Sequence, residues 1–417
     1  MHVLRTPRTV PHRKGLPVDT PRIISVDDHI VEPPDLWQRY LPERLRADAP
    51  RVERVKGRFG EGARGGWVET DDGDWADLWR FGTYEMAIIP GFAAAGMDQD
   101  HLGLHYAPLT YDDMRPGCYE QASRLEDMDA NHTEAGLSFP TFPRFCGQTF
   151  LENSDRELGL ACVQAYNDWM VDEWCAGDGS GRLIPLTLIP LWDPDLAAAE
   201  VRRCAAKGSF AVAFSENPVR LKLPSIFTDH WYPFFAACEE TDTVVNLHIG
   251  SSSTFPMTSA DAPRAVSLGL TYQGSAHALC DWLTCGVLDR FPRLKVALSE
   301  GQIGWMPFIL EKLDGVWHDR PVYGNIEQLP RPPSSYMNQI YGCVFDDQVG
   351  LELRDRVGMN QIMFETDYPH GDSTWPHSKE TFEKLVTAAG LDDDEIYKLA
   401  RGNAIACYGL ERFGITS

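Results

Sequence analysis

Four places in this chain set metal-ligating side chains just beyond short apolar runs. Ile362-Met363-Phe364 stops at Glu365-Thr366-Asp367-Tyr368-Pro369-His370-Gly371-Asp372-Ser373-Thr374-Trp375-Pro376-His377. Ile23-Ile24-Ser25-Val26 runs into Asp27-Asp28-His29-Ile30-Val31-Glu32-Pro33-Pro34. His248 closes Thr243-Val244-Val245-Asn246-Leu247, and Glu300 follows Leu294-Lys295-Val296-Ala297-Leu298-Ser299. Carboxylates and imidazoles brought together repel, or lose too much hydration, unless a cation sits among them. Asp27, His29, Glu32, His248, Glu300, Asp367, His370 and His377 are therefore the candidate ligands, with Asp367 and Glu300 also the candidate catalytic acids or bases. Taken singly each has a plainer reading. Asp27 could cap a helix, His248 could be a core histidine, and Glu300 could pair with a lysine. Their shared position at strand ends is what favours a site. His101 and His105 read as surface or packed histidines.

These groups need elements to position them. Asp27 and His29, two apart on extended backbone, point to one face. Further runs at Ala135–Phe139, Leu183–Ile189, Phe210–Phe214 and Ile340–Phe345 read as strands, with Pro185 forcing an irregularity in the second of these. Helical patterns separate them, at Tyr119–Asn131, Leu158–Trp174, Leu196–Lys207, Asp229–Glu240, Leu268–Asp289, Trp305–Trp317 and Val349–Val357. Two more, Lys379–Ala389 and Asp392–Tyr408, finish the chain. Eight strands alternating with helices predict parallel strands closed into a (β/α)8 barrel, whose C-terminal strand ends share one face. An open doubly wound sheet would want a glycine-rich loop where Asp27-Asp28-His29 and two prolines stand.

Residues 35–130 lack clean alternation. They are expected to form a long insertion after strand 1, with Trp67, Asp71, Asp72, Asp74, Trp75, Asp77 and Trp79 in a hairpin or loop excursion over the barrel mouth. Its tryptophans, methionines and phenylalanines suit either an apolar pocket roof or simply its own small core. Residues 1–21 read as a basic, proline-bearing arm, and residues 22–417 as one metal-dependent domain.

Net charge is −23, from 61 acids against 38 bases in 417 residues, which argues against nucleic acid or anionic membrane as a partner. The partner expected is a small-molecule substrate, and a homo-oligomer is compatible with the sequence. The ten cysteines, at 118, 146, 162, 175, 204, 238, 280, 285, 343 and 407, form no CxxC pair and read as reduced thiols of a cytoplasmic protein. No run reaches transmembrane length. Arg144, Lys207, Arg220 and Lys222 are the bases that could meet a phosphate-bearing carrier such as CoA, solvated surface being the plainer reading.

With these residues in view, the chain resembles the amidohydrolase-related family in its aminocarboxymuconate-semialdehyde-decarboxylase-like branch. The likeness runs from about Ile23 to the end and rests on Asp27-Asp28-His29-Ile30-Val31-Glu32-Pro33, Leu247-His248, Ser299-Glu300-Gly301-Gln302-Ile303-Gly304-Trp305, Thr366-Asp367-Tyr368-Pro369-His370 and Gly402-Asn403-Ala404. It implies a distorted TIM barrel with a catalytic divalent metal. Asp27 stands where the family has the first histidine of His-x-His, and Glu300 stands where it has a histidine after strand six. Such a carboxylate-rich donor set suits iron or manganese, with zinc as an alternative, and eight donors would suffice for two ions. This variant resembles non-haem di-iron monooxygenases on the same fold, which implies two irons and a CoA-linked substrate, including terpenoid acids of natural-product pathways. On that reading Asp27, His29, His248 and Asp367 hold one metal, while Glu32, Glu300, His370 and His377 are the pool for a second. The alternative expectation is a mononuclear hydrolase or non-oxidative decarboxylase of a small carboxylic acid.

Overall fold

The computed structural model describes residues 19–60, 66–97 and 107–416. His101, His105 and most of the N-terminal arm lie outside the described residues. All eight expected barrel strands form. They are β1 (Ile23–Ile30), β6 (Thr133–Pro140), β7 with β8 (Leu183–Ile184 and Leu186–Thr187), β9 (Ala211–Ser215), β10 (Val244–His248), β11 (Val296–Ser299), β12 (Ile340–Val344) and β13 (Ile362–Phe364). Pro185 splits the third strand in two, because its ring nitrogen has no hydrogen to give a ladder. β7 accordingly pairs with β6, and β8 pairs with β9.

Every barrel pairing is parallel, in two arcs, β1-β6-β7 and β8-β9-β10-β11-β12-β13. The ends of the second arc and the first meet through backbone hydrogen bonds. Asp367 N donates to Asp27 O at 2.9 Å, and His29 N donates to Tyr368 O at 2.6 Å. The ring therefore closes on the residues that carry the acids and imidazoles. β1 is longer than its apolar run because Asp27 and His29 lie inside it. Its pairing with β6 slips by one residue between Ser25 and Asp28, a bulge that re-aims Asp27.

Between β1 and β6 the chain makes a four-stranded antiparallel sheet of β2 (Arg51–Phe59), β3 (Trp67–Glu69), β4 (Asp74–Phe81) and β5 (Tyr84–Ala87), in the order β3-β2-β4-β5. This is more regular than the hairpin or loop expected there. The helix expected at Leu268–Asp289 is instead three pieces, Arg264–Leu268, Gln273–Thr284 and Val287–Arg290. Gly286, at φ +81°, supplies the left-handed residue that ends the middle piece.

Trp37 joins the insertion to the barrel. It is fully buried, with its ring 5.3 Å from Trp79 on β4 and 5.1 Å from Phe142 in the loop after β6. Its indole N–H donates to Cys162 O at 3.1 Å. Trp37→Ala should cost about 3–5 kcal/mol through the cavity it leaves. Urea unfolding followed by far-UV circular dichroism checks this, and an unchanged midpoint would refute the joining role.

Candidate metal centre

β1, β10, β11 and the loop after β13 deliver six of the eight candidate ligands to one point. His29 Nε2 lies 3.2 Å from Asp367 Oδ1, 3.6 Å from Asp27 Oδ1 and 3.1 Å from His248 Nε2. His248 Nε2 is in turn 3.5 Å from Asp27 Oδ2 and 3.6 Å from Glu300 Oε2. His370 completes the group from the outer side. Its Nδ1 is 3.1 Å from Asp367 Oδ1 and 3.9 Å from Glu300 Oε1, and its ring stacks on His29 at 3.6 Å. Donor atoms of Asp27, His29 and His248 lie within 4.8 Å of one another, as do those of His29, Glu300, Asp367 and His370.

The chemistry of this donor set fits a divalent cation. Both carboxylate oxygens of Asp27 and both of Asp367 are buried without a hydrogen-bond partner among the described residues. Buried polar atoms ordinarily find partners, and four orphans in one place call for a shared ligand. His248 Nδ1 donates to the carbonyl oxygen of Ile249 at 2.6 Å, which leaves the Nε2 lone pair facing the cluster. Burial, then the neighbouring His370 and His248, hold His29 well below its ordinary value, and burial lowers His248 too. Both rings are thus neutral and able to coordinate. Burial, then Glu365 and Glu300, push the Asp27 carboxyl up, and burial with Glu300 does the same to Asp367. For Glu300 burial acts upward, but His248 and His370 outweigh it and hold the carboxyl low. Asp367 at φ +55° and Glu300 at φ +52° occupy the left-handed region, backbone strain of the kind that collects at functional sites.

Glu32 and His377 stand apart from the other six. The oxygens of Glu32 accept from Thr141 N at 3.0 Å and Phe142 N at 2.9 Å. Two backbone N–H groups thus turn that carboxylate toward the loop after β6. His377 is exposed at the start of the helix Ser378–Ala388. The pool of eight donors for two ions is therefore reduced to six around one point. The bases considered for a CoA phosphate do not form a cradle either, since Lys207 pairs with Asp168 and Asp172, and Arg144 pairs with Glu152 at 2.5 Å.

Further side chains support the cluster. Asp28 faces away from the cluster, and its Oδ1 accepts from Ser25 Oγ at 2.8 Å and Thr366 Oγ1 at 2.6 Å, tying β1 to the loop after β13. Arg124, buried, donates to His29 O at 2.6 Å. Asp347 accepts from Ile303 N at 2.8 Å and Gly304 N at 2.6 Å, which holds the turn beyond Glu300. Phe145 stacks on His248 at 4.1 Å. Glu365 is buried with Oε1 unpartnered, and burial, then Glu300, push its carboxyl up. Its place directly after the run Ile362–Phe364 is the signal that could have found Glu365. No local signal marks Phe145.

Fold and donor set together define a TIM-barrel enzyme built to hold a divalent metal. The chain belongs to the amidohydrolase family, whose profile matches residues 75–410. It is similar to the γ-resorcylate decarboxylase of Rhodococcus jostii, 26% identical over 79% of this chain and 99% of that one. Among solved structures it is similar to an amidohydrolase of Mycobacterium avium subsp. paratuberculosis, with a TM-score of 0.64, 22% identity and coverage of 93% of this chain and 99% of that one. A manganese-bound dihydroxybenzoic acid decarboxylase of Polaromonas gives a TM-score of 0.58 at 17% identity, covering 94% and 98%. These findings overturn the expected monooxygenase. The curated relative is a lyase that releases carbon dioxide, so the oxidoreductase reading and its CoA-linked, terpenoid substrate fall with it. Among the described residues no helix is long and apolar enough to cross a membrane, and all ten cysteines are free thiols.

The Glu32 assignment predicts a pH dependence. Burial, working against the two backbone donors, pushes its carboxyl from 4.5 up to about 7. A raised folded-state value means the contribution to stability is present below the unfolded value and is lost as pH rises from 4.5 through about 7. Glu32→Gln removes that titration, so the drop in unfolding free energy between about pH 5 and about pH 8 should be smaller than in the wild type. Denaturant titrations at both pH values check this, and identical drops would refute it.

Proposed function

We propose that this chain is a metal-dependent, non-oxidative decarboxylase of a small carboxylic acid, one whose aromatic or unsaturated body can accept the electron pair left when the C–C bond breaks. The observation that carries the reading is the set of unpartnered carboxylate oxygens on Asp27 and Asp367, buried between two neutral imidazoles. The decarboxylase activity of the γ-resorcylate relative supports the choice of reaction.

Asp27, His29, His248 and Asp367 would hold the metal, with Glu300 and His370 at its edge. When bound it would supply a Lewis acid that anchors and polarises the substrate carboxylate. Manganese is favoured, because a carboxylate-rich donor set suits it and the Polaromonas decarboxylase binds it, and zinc is the second choice. The chain's own residues supply the rest. Phe139 and Phe145, with rings 4.9 Å and 4.1 Å from His248, wall the site and keep water from the carbon that must be protonated. Glu300 and His370, with side chains 10% and 12% exposed, are its open edge, where a proton can enter. His370 Nδ1, 3.1 Å from Asp367 Oδ1, can pass that proton to the Asp367 carboxyl. As the C–C bond breaks, its electron pair stays on the substrate carbon and carbon dioxide leaves. A proton from Asp367 then makes the new C–H bond. No oxidant enters that balance.

The test is release of carbon dioxide from 2,6-dihydroxybenzoate and related hydroxybenzoates under anaerobic conditions. Turnover should persist without oxygen, vanish on chelation and return with manganese. Asp367→Asn should lower kcat by about 10²-fold or more, as loss of a positioned acid does. A requirement for oxygen, or full activity of chelated protein, would sink the proposal.

A further inference from the structure

Two buried side chains of the helix Gln121–Ala130 reach both sides of the barrel seam without joining the donor cluster. Arg124, 1% exposed, is the only arginine or lysine buried among the described residues. Buried charges ordinarily face an opposite charge. The donors of Arg124 go instead to neutral oxygens, Nε to Gly117 O at 2.7 Å, Nη2 to His29 O at 2.6 Å and Nη1 to Ser138 Oγ at 3.4 Å. Its guanidinium lies over the ring of Tyr368, 4.3 Å from the centroid. A planar cation suits that face as a lysine does not.

Asp127 stands three residues further along and so shares a face of the helix with Arg124. Its Oδ2 accepts from the Tyr368 hydroxyl at 2.6 Å, and its Oδ1 accepts from Arg115 at 2.6 Å. The chain passes this contact closely because residue 117 is glycine. A methyl group there would fall 2.2 Å from Asp127 Oδ2 and 2.6 Å from the Tyr368 hydroxyl.

Tyr368 follows Asp367 directly, and its carbonyl accepts from His29 N at 2.6 Å. Arg124, His29 and Tyr368 thus close a triangle. The guanidinium meets the His29 carbonyl, the His29 N–H meets the Tyr368 carbonyl, and the Tyr368 ring meets the guanidinium. His29 Nε2 and Asp367 Oδ1 stand 3.2 Å apart beside it. Asp367 is at φ +55°, a backbone conformation that the surrounding structure has to impose.

We propose that Arg124 and Asp127 are positioning residues of the metal centre. They grip Tyr368 by its face and its tip, and His29 by its carbonyl, and so fix the His29 imidazole and the Asp367 carboxylate relative to one another before an ion arrives. Partners of this kind set metal affinity without touching the metal. The inference rests on the metal-binding part of the proposed function and not on the reaction.

Isothermal titration of the metal-free, full-length protein with manganese chloride tests it, well below the melting temperature so that only folded protein is read. Tyr368→Phe deletes one hydroxyl and keeps the ring. It should bind manganese about tenfold more weakly than the wild type, and Arg124→Met should lose about tenfold or more. A merely structural role predicts a different pattern, a lower melting temperature with manganese affinity unchanged. Tyr368→Phe carries the test should Arg124→Met fail to fold. Unchanged affinity in Tyr368→Phe would overturn the proposal, whatever Arg124→Met does. Wild-type protein that binds no manganese would overturn the metal centre and the positioning role with it. Tight binding of manganese without release of carbon dioxide counts against the decarboxylase reading alone.

Discussion

Ionised side chains inside a closed barrel need compensation, and here the barrel's own closure depends on where they sit. The last strand meets the first through Asp367 N to Asp27 O and His29 N to Tyr368 O, so three donor-bearing residues also form the seam. The orphaned oxygens of Asp27 and Asp367 lie on that seam. A bound cation would offset both the electrostatic cost and the strain of the left-handed backbone at Asp367 and Glu300. Closure of the fold and binding of the metal are, on this view, two aspects of one interaction.

Around the cluster lie carboxylates and a guanidinium that the chain itself satisfies. Asp28 takes hydroxyl donors from two elements, Arg124 holds the backbone at His29, and Asp347 holds the turn beyond Glu300. Glu32 fixes the loop that carries Phe145. The contrast between this satisfied layer and the unsatisfied centre locates the chemistry. Structural carboxylates are met by N–H and O–H donors of the chain, while the central ones face one another and two imidazoles.

The corrected chemistry has the same root. A surplus of carboxylates near strand ends suggested two ions and an oxidation. The structure assigns Glu32 to a backbone contact and leaves His377 in solvent, and the family relatives are decarboxylases. A carboxylate count taken along the chain does not separate ligands from loop anchors.

Much of the architecture was legible without coordinates. Apolar runs of three to seven residues bounded by glycine, proline and acids mark buried parallel strands, and all eight fell where that pattern put them. The alternation of Asp27 and His29 on one face followed from extended geometry, and Pro185 announced its own break. The sheet of residues 51–87 was harder to read, because its strands are half exposed and their pairing with one another sets the pattern. What only the tertiary structure decided was the fate of each polar group beyond a strand end. Local sequence sets which residue stands there, but whether its side chain meets another ligand or a backbone N–H depends on the path of loops distant in the chain. Asp367 and Glu32 are both carboxylates just past apolar runs, and only the course of residues 141–142 separates the loop anchor from the member of the cluster.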